Sequence, residues 1–299
     1  MFRFSMKLQP MHQTPKPIQA PNKHHLVIEQ VQDTLIVKHT AGFFSCCSVK
    51  LHAIVEFANS RNSFPKHING MDLFTMYKLP EHVNQEDITH VFFEHPSEIL
   101  NPISKINYNH DHQFIAYYQL DYKNLMPVIK NFFKPSANII EIMIHFENKY
   151  GIDAANCIAV YYRGTDKTRE TKLDSFDRYY AKLTELLNSD DNNNCKILLQ
   201  SDSAQFFDYM KYKFRDSRHF ANLVIIDEIA PTMSSTMGAH CERNGQRNHS
   251  DIKYLFAVIM FISKCKHIIC SSGNVSVWMM FYRGNSVNVH QNLNLAWLE

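Results

Sequence analysis

Residues 157–170, CIAVYYRGTDKTRE, run from an apolar strand into a knot of charge. Arg163 has the most specific chemistry in it, because a guanidinium grips two oxygens of a phosphate at once and stays protonated. Structural pairing with Asp166 or Asp202 is the alternative use of that charge. Glu170 and Asp166 are carboxylates able to serve as a general base, with Lys167 as the neighbouring cation. Glu170 also suits a solvated or capping position before the helix that begins near residue 173. A second stretch, SSGNVSVW at 271–278, puts Ser271, Ser272, Gly273 and Asn274 where a strand gives way to a helix. Backbone N–H groups at a helix start carry partial positive charge and favour an anion, and the same serines are ordinary helix caps. Together the two stretches suit a diphosphate. Neither a Walker-type phosphate loop nor a G-x-G-x-x-G fingerprint occurs, which argues against a P-loop ATPase and a dinucleotide enzyme.

The elements that must hold these residues follow from periodicity. After a Pro-rich stretch, TLIVKHTA reads as a strand, GFFSCCS as a turn, and VKLHAIVEFANS as an amphipathic helix. THVFFEH reads as a strand and PSANIIEIMIHFENKY as a helix. From residue 151 the alternation is regular: strands CIAVYY, KILLQ, NLVIID and HIICSS alternate with helices LDSFDRYYAKLTELLNS, SAQFFDYMKYKF, SDIKYLFAVIMFISK and NVSVWMMFY. Such alternation predicts an α/β fold with a parallel sheet covered on both faces. The expected division is a flexible N-terminal arm at 1–26, a Rossmann-like domain at 27–150 and a second at 151–299. Ligands of open α/β sheets bind beyond the C-terminal strand ends, and that rule gathers four loops: RGTDK, SDS, DEIAPTMSSTMGAH and SSGN. Asp202 of the second loop is suited to a ribose hydroxyl or to capping the helix at 204. His240 of the third either folds over a nucleotide base or is an ordinary exposed loop residue. Phe43, Phe44 and Ser45 follow the first strand and either face the cleft or pack.

Bulk composition narrows the class. In 299 residues, 31 Lys and Arg nearly cancel 29 Asp and Glu, so no general nucleic-acid affinity is expected. Seven irregularly spaced cysteines suit a reducing compartment, and no apolar run reaches the roughly 18 residues of a membrane helix. The expectation is a cytoplasmic protein without a membrane span. The pairs at His24–His25 and in HDH at 110–112 lack companion ligands, so no metal site is expected.

YYRGTDKTRE resembles the first motif of the fucosyltransferase superfamily, which comprises the α1,6-, α1,2- and protein O-fucosyltransferases. SKCKHIICSSGNVSVW resembles its later motif, a Lys- or Arg-flanked strand entering Ser-Ser at a helix start. The α1,6 enzymes are the most similar, sharing Thr-Asp-Lys followed shortly by Glu. Gly164 stands where the usual motif has a second Arg. The resemblance covers residues 155–285 and implies a GT-B glycosyltransferase, with two Rossmann-like domains facing a cleft and the donor held by the C-terminal one. It implies that Arg163 binds the donor diphosphate, that Lys167 lies beside the base, and that Glu170 deprotonates the acceptor hydroxyl. It further implies inverting transfer from a nucleotide sugar, GDP-fucose before UDP-xylose, to an oligosaccharide acceptor, with no metal or other cofactor. A noncatalytic nucleotide- or carbohydrate-binding protein of the same fold is the reading from another class.

Overall fold

A computed structural model of the chain describes residues 27–31, 33–82, 86–96, 104–165, 173–231 and 245–293. The first half holds a three-stranded sheet in the order β1-β2-β3, formed by β1 (Val27–Val31), β2 (Thr34–Lys38) and β3 (His67–Asp72). β1 and β2 are antiparallel, whereas β2 and β3 run parallel across helix α1 (Phe43–Arg61). Then come α2 (Thr89–Phe92), α3 (Tyr122–Phe132) and α4 (Ala137–Tyr150).

The second half is a five-stranded sheet, parallel throughout, in the order β6-β5-β4-β7-β8. Its elements in chain order are β4 (Cys157–Tyr162), α5 (Phe176–Leu187), β5 (Lys196–Ser201), α6 (Ala204–Phe214) and β6 (Leu223–Ile225), followed by α7 (Gly245–Lys264), β7 (His267–Ser271), α8 (Asn274–Arg283) and β8 (Val289–Asn292). The α/β class and the parallel sheet expected from the alternation are present. Counting this half's strands along the chain, the order is 3-2-1-4-5, so the winding reverses between β4 and β7.

β4 shows why its sequence is an unbroken apolar run. Cys157, Ala159 and Tyr161 belong to one core cluster and Ile158, Val160 and Tyr162 to the other, as the two-residue period of a strand requires. A strand with both faces covered has no polar side to show. The first cluster also takes in Leu35 and Val37 of β2 and most of α1 from the first half, together with Trp278 of α8 from the second. Trp278 is fully buried, and its indole N–H donates to Ser48 Oγ of α1 at 3.0 Å. Both halves of the chain thus share apolar packing along α1, α7 and α8.

Local readings of the first half are corrected at several points. GFFSCCS is the first turns of α1 instead of a turn before it, because Phe43, Phe44, Cys46 and Cys47 are all buried and helical spacing takes them inward. THVFFEH is not a strand: Thr89–Phe92 form a short helix, and Phe93 makes an isolated bridge to Pro135. Phe92 and Phe93 bury their rings against Phe43, at centroid separations of 4.8 and 6.0 Å, so burial, not strand pairing, accounts for their apolar character. β3 and β8 are strands that local composition does not announce, since HINGMD and VHQN are polar edge segments.

Candidate functional site

The β4–β7 register places Tyr161 opposite Cys270, and the β4–β5 register places Tyr162 opposite Ser201. The chain therefore leaves β4, β5 and β7 at one level, and the loops at 163–165, 202–203 and 272–273 emerge side by side. In a doubly wound sheet the crevice opens where the winding reverses, which here is between β4 and β7. Arg163 stands at one lip of that switch point and the Ser271–Asn274 turn at the other.

Tyr162 anchors the first lip. Its ring stacks on Phe206 of α6 at 4.8 Å and meets Phe176 and Tyr179 edge-on at 4.9 and 5.2 Å. Burial raises its hydroxyl pKa to about 12, so it stays protonated and serves packing. Beyond it, Asp202 organises the loop. Its Oδ1 accepts the Gly164 N–H at 2.8 Å, its Oδ2 accepts the Thr165 hydroxyl at 2.6 Å, and the same Oδ2 is ion-paired with Arg163 Nη1. Arg163 Nη1 also donates to Thr165 Oγ1 at 3.0 Å. Arg163 and Asp202 keep only 19% and 13% of their side-chain surface in contact with water, so the pair is largely desolvated. Thr165 carries a left-handed φ of 47°, an uncommon state for a β-branched residue, and its hydroxyl bond to Asp202 helps hold it there. Gly164 is required by close approach: a Cβ there would stand 2.9 Å from Tyr162 Cε1 and 3.4 Å from Ser203 Cβ. No second arginine backbone fits at 164 without moving the Tyr162 ring.

The second lip is built from both halves of the chain. Gly273, with φ 142°, turns β7 into α8 through a conformation that side chains disfavour. Its N–H donates to the Gln113 carbonyl at 3.1 Å and to Tyr117 Oη at 3.2 Å. Gln291 of β8 ties the turn down further. Its Nε2 donates to Ser272 Oγ at 2.8 Å and to the Ile115 carbonyl at 3.0 Å, while its Oε1 accepts the Tyr117 N–H at 2.8 Å. The Gly273 N–H is therefore spent on the scaffold. At the first turn of α8 the N–H groups of Asn274, Val275 and Ser276 have no partner among the described residues, as the geometry of a helix start dictates. Asn274 Oδ1 is buried and likewise has no partner among the described residues. Cys270, just before the turn, is buried and its thiol pKa is raised to about 12, which leaves it an inert packing group.

Of the residues expected at the site, Arg163, Gly164, Thr165, Asp202, Ser271, Ser272, Gly273 and Asn274 gather at adjacent strand ends. Asp202 neither caps α6, whose N-cap residue is Ser203, nor stands free for a ribose; it holds the loop of β4. Asp166, Lys167, Glu170 and His240 lie outside the described residues. Phe43 and Phe44 are 2% and 3% exposed, so their rings fill the core instead of lining an acceptor surface, and the Ser45 hydroxyl is bonded to His39 Nε2 at 3.0 Å. Gln113, Tyr117 and Gln291 join the site only through the fold. They lie in segments without helical or strand period, and only their reach to residues 272–273 gives them a role. Among the described residues no group of three metal-binding side chains is placed to hold an ion, and no helix is long and apolar enough to cross a membrane. Comparison with protein-family models and with curated proteins finds no match to this chain.

Proposed function

We propose that the protein is an inverting glycosyltransferase that takes its sugar from a nucleoside diphosphate donor, with GDP-fucose the favoured donor and a glycan hydroxyl the acceptor. One observation carries the reading: Arg163 and the Ser271–Asn274 turn stand on neighbouring strands, β4 and β7, at the point where the sheet's winding reverses. A bidentate cation on one side and helix N–H groups on the other is an arrangement that neutralises a departing diphosphate without a divalent ion. In this reading the acceptor oxygen bonds the anomeric carbon from the face opposite the diphosphate, the carboxylate at Glu170 or Asp166 takes the acceptor proton, and the diphosphate leaves with the electron pair of the broken glycosidic bond. Asn274 Oδ1, a buried acceptor without a partner among the described residues, is suited to a ligand hydroxyl at the same lip. A GT-B arrangement of the two halves, with the first half on the acceptor side, belongs to the same proposal.

Purified protein incubated with GDP-fucose, UDP-xylose and other nucleotide sugars, in EDTA and then with manganese, tests it. Slow release of the nucleoside diphosphate in EDTA is the expected result. Binding without any release would identify a noncatalytic binding protein, and neither binding nor release would remove the proposal altogether.

A further inference from the structure

Asp202 occupies the phosphate-seeking group of the site with a carboxylate of the chain itself. Its two oxygens receive the Gly164 N–H, the Thr165 hydroxyl and the Arg163 guanidinium, and the ion pair has little contact with solvent. The Gly164 N–H and the Arg163 guanidinium are donors that an incoming phosphoryl group would use, and Asp202 holds them 38 and 39 residues away in sequence, at the end of the neighbouring strand. A ligand anion must therefore exchange with Asp202 or share Arg163 with it, and in both cases it meets a fixed negative charge.

We propose that Asp202 is a specificity-determining competitor: it makes Arg163 answer only to a ligand of higher charge than one carboxylate, a diphosphate, and excludes monophosphates and simple carboxylates. This rests on the reading of the site as a diphosphate site. Exchange of one carboxylate for one singly or barely doubly charged group gains little at the guanidinium, because the interactions made replace those lost. A diphosphate brings a second phosphoryl group that can reach the N–H groups of α8 while the first engages Arg163, and that second contact has no counterpart in the Asp202-bound state. Like-charge juxtaposition then acts as the repulsive element against weaker ligands.

Asp202→Asn keeps an oxygen for the Gly164 N–H and removes the charge, and Asp202→Glu keeps the charge. Titration calorimetry with GDP, GMP and inorganic pyrophosphate on the full chain is the measurement, with circular dichroism to establish folding. The expected result is GDP binding by the wild type with weak GMP binding. Asp202→Asn should gain affinity for both, GMP by about tenfold and more than GDP, so that discrimination narrows, while Asp202→Glu stays near wild type. Should Asp202→Asn fail to fold, Asp202→Ser supplies the neutral variant. GDP binding by the wild type, with equal or weaker binding of GMP and GDP by a folded neutral variant, would overturn this inference and leave the diphosphate site standing. Failure of every folded form to bind GDP or pyrophosphate would overturn both.

Discussion

Arg163 at the end of β4 is ion-paired with Asp202 at the end of β5, and the pair is mostly withdrawn from water. A desolvated pair of this kind ties two loops together and at the same time places a cation at the mouth of the sheet. Both properties bear on what happens when either partner is removed.

Arg163→Ala should weaken nucleoside diphosphate binding by about 2 kcal/mol or more, the usual worth of a charged hydrogen-bonding partner, with the stranded Asp202 carboxylate adding repulsion. Calorimetry on the folded variant measures it. Unchanged affinity would take the phosphate role away from Arg163 and leave it a purely structural ion pair.

Glu170→Gln preserves shape and removes basicity. Nucleotide binding should stay near normal while the turnover number drops by roughly two orders of magnitude or more, as expected for a lost general base. If that variant transfers sugar at a near-normal rate and a folded Asp166→Asn does not, the base is Asp166.

Ser48→Ala should cost about 1–3 kcal/mol of stability in urea denaturation, since it leaves the fully buried Trp278 indole N–H unpaired. Ser48 belongs to the first half and Trp278 to the second, so a single cooperative transition in the variant and the wild type is also expected. A separate early transition confined to one half would show that the shared packing contributes little to cooperativity.

His267 and His290 stack on the neighbouring strands β7 and β8, with ring centroids 5.6 Å apart. Burial, then the charges of Lys182 and His267, pushes the His290 pKa down to about 4, and burial followed by Lys266 lowers that of His267. A histidine with a depressed folded pKa stays neutral in the fold but takes up a proton in the unfolded chain below roughly pH 6.5. Stability is therefore complete above that pH and declines as pH falls toward about 4, where the folded form protonates as well. The thermal midpoint should drop between pH 7 and pH 4.5, and His290→Gln should flatten that dependence. An identical slope in the variant would show that other groups govern it.

The alternation of apolar strands and amphipathic helices after residue 151 determined, from sequence alone, that a parallel sheet would form and that the RGT, SDS and SSGN loops would share one edge. A helix between two strands carries the chain back across the sheet, so each strand starts from the same edge and runs in the same direction. The types of Arg163 and of the Ser271–Asn274 turn were equally legible, because guanidinium chemistry and helix-start geometry are local. Which residues become neighbours is settled only when the sheet assembles. That β4 lies beside β7, over a hundred residues later, and that Arg163 meets Asp202 instead of standing open depend on strand order, which no local period encodes. The same holds for Phe43 and Phe44, since an aromatic pair after a strand serves a cleft or a core equally well until α7 and α8 close over it. Tyr117 and Gln291 are the furthest case: both come from irregular or edge segments, and their meeting at Ser272 and Gly273 arises only when the first half packs against the second.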